Sequence, residues 1–464
     1  MRLRDDTPEH GLPASSHSTA GLGLLAATAL IIADNVGTGV LALPGQIANV
    51  GRLPGLCLLL VMIVPNVYAG LLLHRAADIV EAADVSGTTA TAADDFPQHA
   101  RRSLLRTSGR VRDYAALAAA LNGPAGAVTM TTCFFYYLSV FLQMANYLVV
   151  LGQTLQAALV GAWPLCRPWA GVVSAAITFF LNQVPSMAAL GRGPALLSVL
   201  GILAVAVLCI TPPLADDFES TSLAANQTIP QRALSISASF GGITFAVSPT
   251  LVMLNTRHAM AHSERLPQAL LLAIGSYVAA FVVLVLLAGA DPPSFLFDLV
   301  PARTPKRRLT ALLLFAHVAV SYAISSVALC TAAERFLARR GGGGGSAAVA
   351  AADLAGRWRA RIQWAALTTT AMGAAWLVAN AAPFFDGLVD LIGSICATSF
   401  FLPALLFRQA TYAAKRELNR VENVVTVLLM LMAIIMTCSG LTGAIVGIVD
   451  EWSHFGQPFA CHAA

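Results

Sequence analysis

Long apolar stretches alternate with short polar segments along most of the chain. A helix that crosses a membrane needs about 20 mostly apolar residues, and eleven stretches reach that length. They lie at residues 22–50, 53–77, 124–158, 168–188, 194–214, 234–256, 267–290, 309–337, 362–382, 385–407 and 423–449. The pattern therefore predicts an all-α membrane protein with eleven transmembrane helices.

The polar segments outside these stretches are predicted to be tails and linkers. Residues 1–21 would form a disordered cytosolic tail, and residues 450–464 a tail on the non-cytosolic side. Residues 78–120 are rich in Ala, Thr, Asp and Arg, and residues 338–361 contain a run of five glycines. Because such compositions are typical of flexible linkers, we expect both segments to be poorly ordered in the cytosol.

The composition supports a membrane protein and argues against several other classes. Only 11% of the residues are charged, whereas a soluble globular protein has about 25%. The net charge of +4 is modest and the basic residues are spread over loops, which argues against a nucleic-acid partner. The sequence has no phosphate-binding GxxxxGK[ST] motif, no Ser/His/Asp arrangement and no Cys/His spacing suited to a metal. We therefore expect neither an enzyme nor a protein with a resident cofactor or metal.

The distribution of Lys and Arg predicts the orientation in the membrane. With the N-terminus in the cytosol, the cytosolic segments carry about three times as many of the 28 basic residues as the non-cytosolic ones. The acidic loop 215–233 is then non-cytosolic, and it holds a glycosylation sequon at Asn226. The basic cluster 303–308 lies on the same side, against the trend, and the sequence assigns it no role. A plasma membrane and a vacuolar or lysosomal membrane both stay open, since lumen and exterior are topologically alike.

Two cysteines fall in loops on the predicted non-cytosolic side, Cys166 and Cys461. A disulfide requires their Cα atoms to approach closely, which the sequence does not determine. Their pairing therefore stays open, and so does the oligomeric state.

Polar residues and glycines interrupt the first predicted span, in the stretch IIADNVGTGVLALPGQIANVG (31–51). Asp34 would lie near the bilayer midplane, where a charge costs at least ~2.5 kcal/mol. Gly37 and Gly39 permit an unwound backbone, which is tolerated at that depth only against protein or a water-filled cavity. We therefore predict a broken helix, and expect the bared backbone amides at Gly37, Thr38 and Gly39 to bind a carboxylate.

The sixth predicted span carries a similar interruption, in SFGGITFAVSPTLVMLN (239–255). Backbone carbonyls near Phe245, Ala246 and Val247, with the hydroxyl of Ser248 beside them, would bind an ammonium group. A zwitterionic amino acid therefore matches the two breaks together. Broken helices that open each half of a chain are typical of inverted-repeat transporters.

The spacing of the spans also predicts an inverted repeat. Residues 22–214 would form a first repeat of five helices, residues 234–407 a second, and residues 423–449 an additional eleventh helix. Because each repeat has an odd number of helices, the second enters the membrane from the opposite face. The predicted architecture is therefore a five-plus-five inverted repeat.

Several stretches are similar to a known family. The most specific are NVGTGVLALPGQIANVG (35–51), which resembles a first-helix signature, and DLIGSICATSFFLPALLF (390–407), which resembles a tenth helix. Further similar stretches lie at 133–155, 182–201, 245–260 and 321–337. Together they resemble the amino acid/auxin permeases of the amino acid–polyamine–organocation superfamily. The resemblance implies eleven helices in the arrangement of the bacterial leucine transporter, and amino acids driven by a proton or sodium gradient.

Two sets of residues are candidates for ion coupling. In the family that the chain resembles, a sodium site, where present, lies between the first-helix break and hydroxyls of the eighth helix. Ser325 and Ser326 are the hydroxyls available here, and Asn35 would add an oxygen. Asp34 and His317 are the titratable alternatives, which would take up a proton. Because Asp34 and His317 can take up a proton, we favour proton coupling over sodium coupling.

Tyr136 or Tyr137, on the third predicted helix, would close over the substrate with its ring and hydroxyl, and a lipid-facing or packing role is the alternative for either one. The resulting hypothesis is a proton-coupled symporter of neutral amino acids that works by alternating access. A sodium-coupled amino acid carrier is one alternative. An amino acid sensor that signals without much flux is the other.

Overall fold

The computed structural model of the protein describes residues 21–37, 39–86, 110–161, 163, 165–211, 229–289, 292–340, 354–381, 385–395, 397–455, 459 and 461. Several sequence predictions lie outside these residues: the tail before residue 21, Thr38, the sequon at Asn226 and the run of five glycines.

The long elements of the described residues are helices, which confirms the all-α class. They are α1 (Leu24–Asn35), α2 (Gly39–Val50), α3 (Arg52–Ser86), α4 (Tyr114–Asn122), α5 (Ala127–Leu159), α6 (Arg167–Asn182), α7 (Met187–Arg192), α8 (Pro194–Ile210), α9 (Ile229–Ala246), α10 (Thr250–Ala259), α11 (Leu266–Leu287), α12 (Pro305–Arg340), α13 (Leu354–Ala381), α14 (Phe385–Ser394), α15 (Leu402–Ala413) and α16 (Arg420–Phe455). Short 3₁₀ turns occupy Ser263–Arg265 and Leu296–Leu299, and a π-helical turn occupies Ala397–Phe401.

Seven helical segments of the described chain are long and apolar enough to cross a membrane, and the bent pair α1–α2 brings the number to eight. The three other predicted spans correspond to α6, α8 and α13. Helices α6 and α8 have 16 and 17 residues, which is shorter than a typical span. Both nevertheless expose large apolar side chains, Phe180 at 77% and Leu197 at 70%, as a surface in contact with lipid does.

The two broken helices lie at the centre of the bundle. Helix α9 packs against α2, α14 and α16, while α1 packs against α8 and α11. Glycines allow the closest of these approaches, because a Cβ atom on Gly393 would overlap the backbone carbonyl of Gly241. Helix α5 packs along α12, α6 and α13 on the other side of the bundle. The polar residues of the two breaks are thereby enclosed by protein rather than by lipid.

The segment 78–120 is more ordered than its composition suggests. Helix α3 continues to Ser86, and α4 lies within the segment. The carboxylate of Asp113 caps α4 by accepting from the Ala116 amide at 2.8 Å, and it also pairs with Arg335. The pair with Arg335 is a tertiary contact, so the expectation of a plain linker was wrong for the residues that the structure describes here.

The tenth predicted span, 385–407, also differs from the expectation of one continuous helix. Helix α14 ends at Ser394, the π-helical turn follows, and α15 begins only at Leu402 and continues to Ala413. This interruption was not predicted, since the stretch contains neither a glycine pair nor a central proline.

The basic cluster 303–308 has a structural role in its fold. Arg307 donates to the carbonyls of Phe297 and Val300, at 2.6 and 2.8 Å, and pairs with Asp298 at 2.8 Å. Its neighbours Lys306 and Arg308 donate to the ends of α8 and α5 respectively. The cluster thus holds loops of the predicted non-cytosolic side against the start of α12.

Cys166 and Cys461 form a disulfide, with Cα atoms 5.1 Å apart. The bond joins the residue before α6 to the segment after α16. Phe459 packs near it against Trp376 of α13, with ring centroids 5.9 Å apart. The C-terminal segment is therefore attached to helices that are distant in sequence.

Candidate functional site

The first predicted break is present. Helix α1 ends at Asn35, α2 begins at Gly39, and the two axes differ by 53°. The first amides of α2 have no partner within that helix, and they carry its positive dipole end. Gly37 allows close packing, because a Cβ atom there would lie 3.0 Å from the Tyr147 hydroxyl. The geometry of the break suits a small anionic group.

The second predicted break is present as well. Helix α9 ends at Ala246 and α10 begins at Thr250, with Pro249 before it. The amides of Val247 and Ser248 still donate to carbonyls one turn back, both at 3.3 Å. Because proline lacks an amide hydrogen, the backbone cannot continue this pattern into α10.

The two breaks are in direct contact. The side-chain amide of Asn35 donates to the Ala246 carbonyl at 2.9 Å. A Cβ atom on Gly39 would lie 3.1 Å from the Ala246 Cα, so the backbones touch. The structure therefore brings the predicted carboxylate-binding residues Gly37 and Gly39 together with the predicted ammonium-binding segment.

The predicted ammonium-binding carbonyls already accept hydrogen bonds. The Ala246 carbonyl accepts from the Asn35 side chain. The Val247 carbonyl accepts from the Tyr277 hydroxyl at 3.1 Å. The Phe245 carbonyl accepts from the Ser248 amide. Each carbonyl keeps a second lone pair, so an additional donor is compatible with these contacts. Asn35 bonds through its nitrogen and thereby links the breaks, whereas the sequence suggested only an oxygen ligand for an ion.

Asp34 is buried beside hydroxyl groups of α12. The residue is only 4% exposed, and its carboxylate accepts a hydrogen bond from the Ser325 hydroxyl at 3.2 Å. One turn earlier on α12, the Ser321 hydroxyl donates to the Ala33 carbonyl at 2.7 Å. The structure thus assembles a buried carboxylate, two hydroxyls and a backbone carbonyl between α1 and α12.

The other two candidate coupling residues have partners other than the Asp34 carboxylate. His317 is fully buried, its Nδ1 atom lies 2.7 Å from the Ser198 hydroxyl, and its ring faces the Gly37 backbone. Its Nε2 atom has no hydrogen-bond partner among the described residues. Ser326 lies on another side of α12, where its hydroxyl is 3.8 Å from the Cys330 sulfur. Of the two predicted serines, only Ser325 is therefore at the break.

Tyr136 lies beside α10 rather than beside the first break. Its hydroxyl donates to the Leu251 carbonyl at 3.1 Å and accepts from Asn255 at 2.8 Å, and its ring stacks on Tyr114 at 4.8 Å. The tyrosine of α5 that reaches the first break is Tyr147, which the sequence analysis missed. The two tyrosines are separated by about three helical turns, so helical periodicity from Tyr136 would have pointed to Tyr147.

Tyr147 holds the end of α1 in place. Its hydroxyl donates to the Asp34 carbonyl at 2.9 Å and accepts from the Gln143 amide at 2.6 Å. The carbonyl belongs to the last turn of α1, where no intrahelical partner is available. This contact stabilises the broken conformation.

The interrupted tenth span meets the second break. The Ser248 hydroxyl donates to Ser399 in the π-helical turn at 2.8 Å and lies 3.2 Å from the Thr250 hydroxyl. Sequence reasoning singled out Ser248 but missed Ser399, because nothing in the sequence indicated the π-helical turn. Three hydroxyls consequently surround the polar side of this break.

Comparison with known proteins identifies a family, and the chain is also similar to solved structures. A family model described as "transmembrane amino acid transporter protein" matches residues 20–448. No curated protein gives a significant match. The crystal structure of MhsT in complex with L-phenylalanine matches with a TM-score of 0.49 at 13% sequence identity, over 92% of this chain and 99% of that chain.

Proposed function

Because the chain belongs to the transmembrane amino acid transporter family, we propose that it is a proton-coupled symporter of neutral amino acids. Family membership and the long apolar helices make it a multi-pass integral membrane protein that transports amino acids and is not an enzyme. The substrate side chain, the coupling ion and the mechanism are the proposed parts. We also propose the count of eleven helices, the five-plus-five repeat and the cytosolic N-terminus.

The observation that carries this proposal is the contact between the two breaks. The amides at the start of α2 suit the carboxylate of an amino acid, and the carbonyls at the end of α9 suit its ammonium group. Asn35 holds the two segments together through the Ala246 carbonyl. Both charges of a zwitterion would thus be bound by backbone groups inside the bundle.

Asp34 is the residue proposed to carry the proton. Its carboxylate is buried against α12 and adjoins the first break through the backbone of its own helix. A proton on this carboxyl group would neutralise a charge that is costly inside the membrane. Ser321, Ser325 and the Ala33 carbonyl are oxygen ligands that a hard cation also prefers, so sodium coupling is the alternative function.

Alternating access would move the inner halves of the two broken helices as one unit. The backbone of Leu22 pairs with Ala259 at 2.8 Å and with Ala261 at 3.0 Å, which ties the start of α1 to the end of α10. The helices α5, α6, α12 and α13 would form the scaffold against which this unit moves.

Uptake into proteoliposomes tests the proposal. Radiolabelled amino acids are offered at two pH values, once with an inward proton gradient in choline buffer and once with a sodium gradient at equal pH. We expect neutral amino acids to accumulate only with the proton gradient, and a protonophore to abolish accumulation. Accumulation that requires the sodium gradient would show that the carrier is coupled to sodium. Binding without accumulation would indicate a sensor.

Variants in α1 and α12 distinguish coupling to protons from coupling to sodium. Asp34→Asn is expected to abolish accumulation driven by the proton gradient while exchange of labelled for unlabelled substrate continues. Ser326→Ala is the matched control for Ser325→Ala, because Ser326 faces Cys330 instead of Asp34. If Asp34→Asn still accumulates substrate with a proton gradient, Asp34 is not the proton carrier.

A further inference from the structure

A cavity of about 410 Å³ lies at the predicted cytosolic face, away from the two breaks. Its polar lining consists of Arg110, Arg112, Ser186, Asn255, His258 and Thr331. Gly21, the end of α10 and apolar residues of α7 and α12 also line it. A cavity of this size is within the range that binds small molecules in proteins.

The inner end of the cavity lies below the second break. Asn255 lines the cavity and donates to the Tyr136 hydroxyl. It follows the start of α10 at Thr250 by five residues, which places it roughly 7.5 Å along the helix axis. The cavity is therefore positioned between the proposed substrate site and the predicted cytosol.

The charges around the cavity are predominantly positive. None of its lining residues is acidic. The nearby Asp113 pairs with Arg335 and caps α4, so its charge is already matched. Burial, and after it the Arg335 guanidinium, lowers the pKa of Arg112 against smaller opposing effects of Asp113 and Glu334.

Arg110 and His258 contribute in different ways. Arg110 is held by the Met260 carbonyl at 2.8 Å and the Ala261 carbonyl at 3.4 Å, which fixes its guanidinium at the rim. The Nδ1 atom of His258 is buried and has no hydrogen-bond partner among the described residues. An anion in the cavity would thus meet the charged Arg112 guanidinium and, in the tautomer protonated at Nδ1, a donor of His258.

We propose that this cavity is a second site for the transported amino acid, in which Arg112, with His258 beside it, binds the substrate carboxylate on the cytosolic path. The site rests on the proposed function, because its ligand is the substrate of the central site. An amino acid leaving the breaks would exchange the amides of α2 for the Arg112 guanidinium, which forms charge-assisted hydrogen bonds with a carboxylate. The site would therefore set the apparent affinity on the cytosolic face and leave that of the opposite face unchanged.

The test uses the full-length protein in oriented proteoliposomes. An N-terminal tag identifies the face of the cavity, because Gly21 lines it. KM is measured for transport from each face with wild type, Arg112→Gln and Arg112→Lys. Arg265→Gln is the matched control, since Arg265 is an exposed arginine just after α10 on the same face.

The expected result is a KM at the tagged face that rises about tenfold in Arg112→Gln, as for the loss of a charged hydrogen bond. Arg112→Lys should recover part of this loss, and Arg265→Gln should behave as wild type. An unchanged KM at the tagged face, or an equal rise at both faces, would overturn the second site. Absence of transport in the wild type would instead refute the proposed function.

An inorganic anion is the alternative ligand for the cavity, because the Arg112 guanidinium would bind it as it binds a carboxylate. Chloride and inorganic phosphate are tested as stabilisers of purified wild type and Arg112→Gln in a thermal unfolding assay. The proposal predicts that neither anion protects the wild type at physiological concentration. Protection that disappears in Arg112→Gln, together with an unchanged KM for the amino acid, would assign the cavity to an inorganic anion and overturn the carboxylate assignment.

Discussion

The side-chain amide of Asn35 donates a 2.9 Å hydrogen bond to the backbone carbonyl of Ala246, although 211 residues separate the two. Each residue is the last of its helix, α1 or α9. The bond therefore joins the two places where the backbone of the bundle is interrupted. It also explains why an asparagine is stable in an apolar span, since its donor finds a carbonyl that helix geometry leaves available.

Loss of the Asn35 bond should impair transport as well as folding. In Asn35→Ala the buried Ala246 carbonyl loses its donor, a change that costs about 1–3 kcal/mol. If the geometry of the breaks binds the substrate, kcat/KM for uptake should fall roughly tenfold to a hundredfold. Asn49→Ala is the control, because Asn49 is exposed and its bond to Ser239 is 3.4 Å long. Equal uptake by Asn35→Ala and wild type would contradict a role for this contact.

Tyr147→Phe should destabilise the broken end of α1. The variant removes a hydroxyl that contacts the Asp34 carbonyl and Gln143, and leaves both partners buried. We expect the free energy of unfolding to fall by about 1–3 kcal/mol, measured by thermal or denaturant unfolding in detergent. Tyr322→Phe provides the comparison, since the fully buried Tyr322 hydroxyl has no hydrogen-bond partner among the described residues. Similar losses in both variants would refute the special role of Tyr147.

Arg257 stabilises the contact between α10 and α3. The residue is 1% exposed and pairs with Glu81 at 2.5 Å and with Asp78 at 2.6 Å. Arg257→Gln leaves these carboxylates without a charged partner, and we expect a loss near 3 kcal/mol, at the lower end of the range for buried pairs, because Asp78 is half exposed.

The exposed pair of Arg75 with Glu422 offers a control for this prediction. Its side chains are 53% and 33% exposed, and Arg75→Gln should therefore cost about 1 kcal/mol or less. Melting temperatures of both variants in the same detergent give the comparison. If Arg75→Gln is as destabilising as Arg257→Gln, burial does not determine the strength of the Arg257 cluster.

The disulfide between Cys166 and Cys461 offers a test of the predicted orientation. Disulfides persist in oxidising compartments, so both cysteines should resist maleimide labelling in intact membranes. A membrane-impermeant reductant added on the non-cytosolic side should make them reactive, as a gel shift with a maleimide polymer would report. Cys166→Ser should leave Cys461 reactive without reductant. Labelling from the cytosolic side would contradict the predicted orientation.

Local sequence signals predicted the breaks because a break has a local cause. Gly37, Gly39 and Pro249 each remove a side chain or an amide hydrogen, and the effect on the helix does not depend on distant residues. The apolar stretches likewise predicted the helical class, since the length of a span follows from the thickness of the membrane. Their family signatures then pointed to amino acid transport.

The residues that the sequence did not reveal depend on tertiary contacts. Tyr147, Ser321 and Ser399 contact the breaks only because α5, α12 and the π-helical turn pack there. Ser325 and Ser326 are adjacent in sequence, yet a helix directs neighbouring side chains about 100° apart, and only one of them reaches Asp34. Residues 110–122 are ordered for the same reason, because Asp113 pairs with Arg335 of α12.

A cryo-electron microscopy structure with the most strongly accumulated amino acid bound would show whether the two breaks form the substrate site. We expect ligand density between the backbone at Gly37–Gly39 and the segment 245–248, with the carboxylate at the start of α2. Density for the amino acid elsewhere in the protein, with continuous helices through both segments, would contradict it.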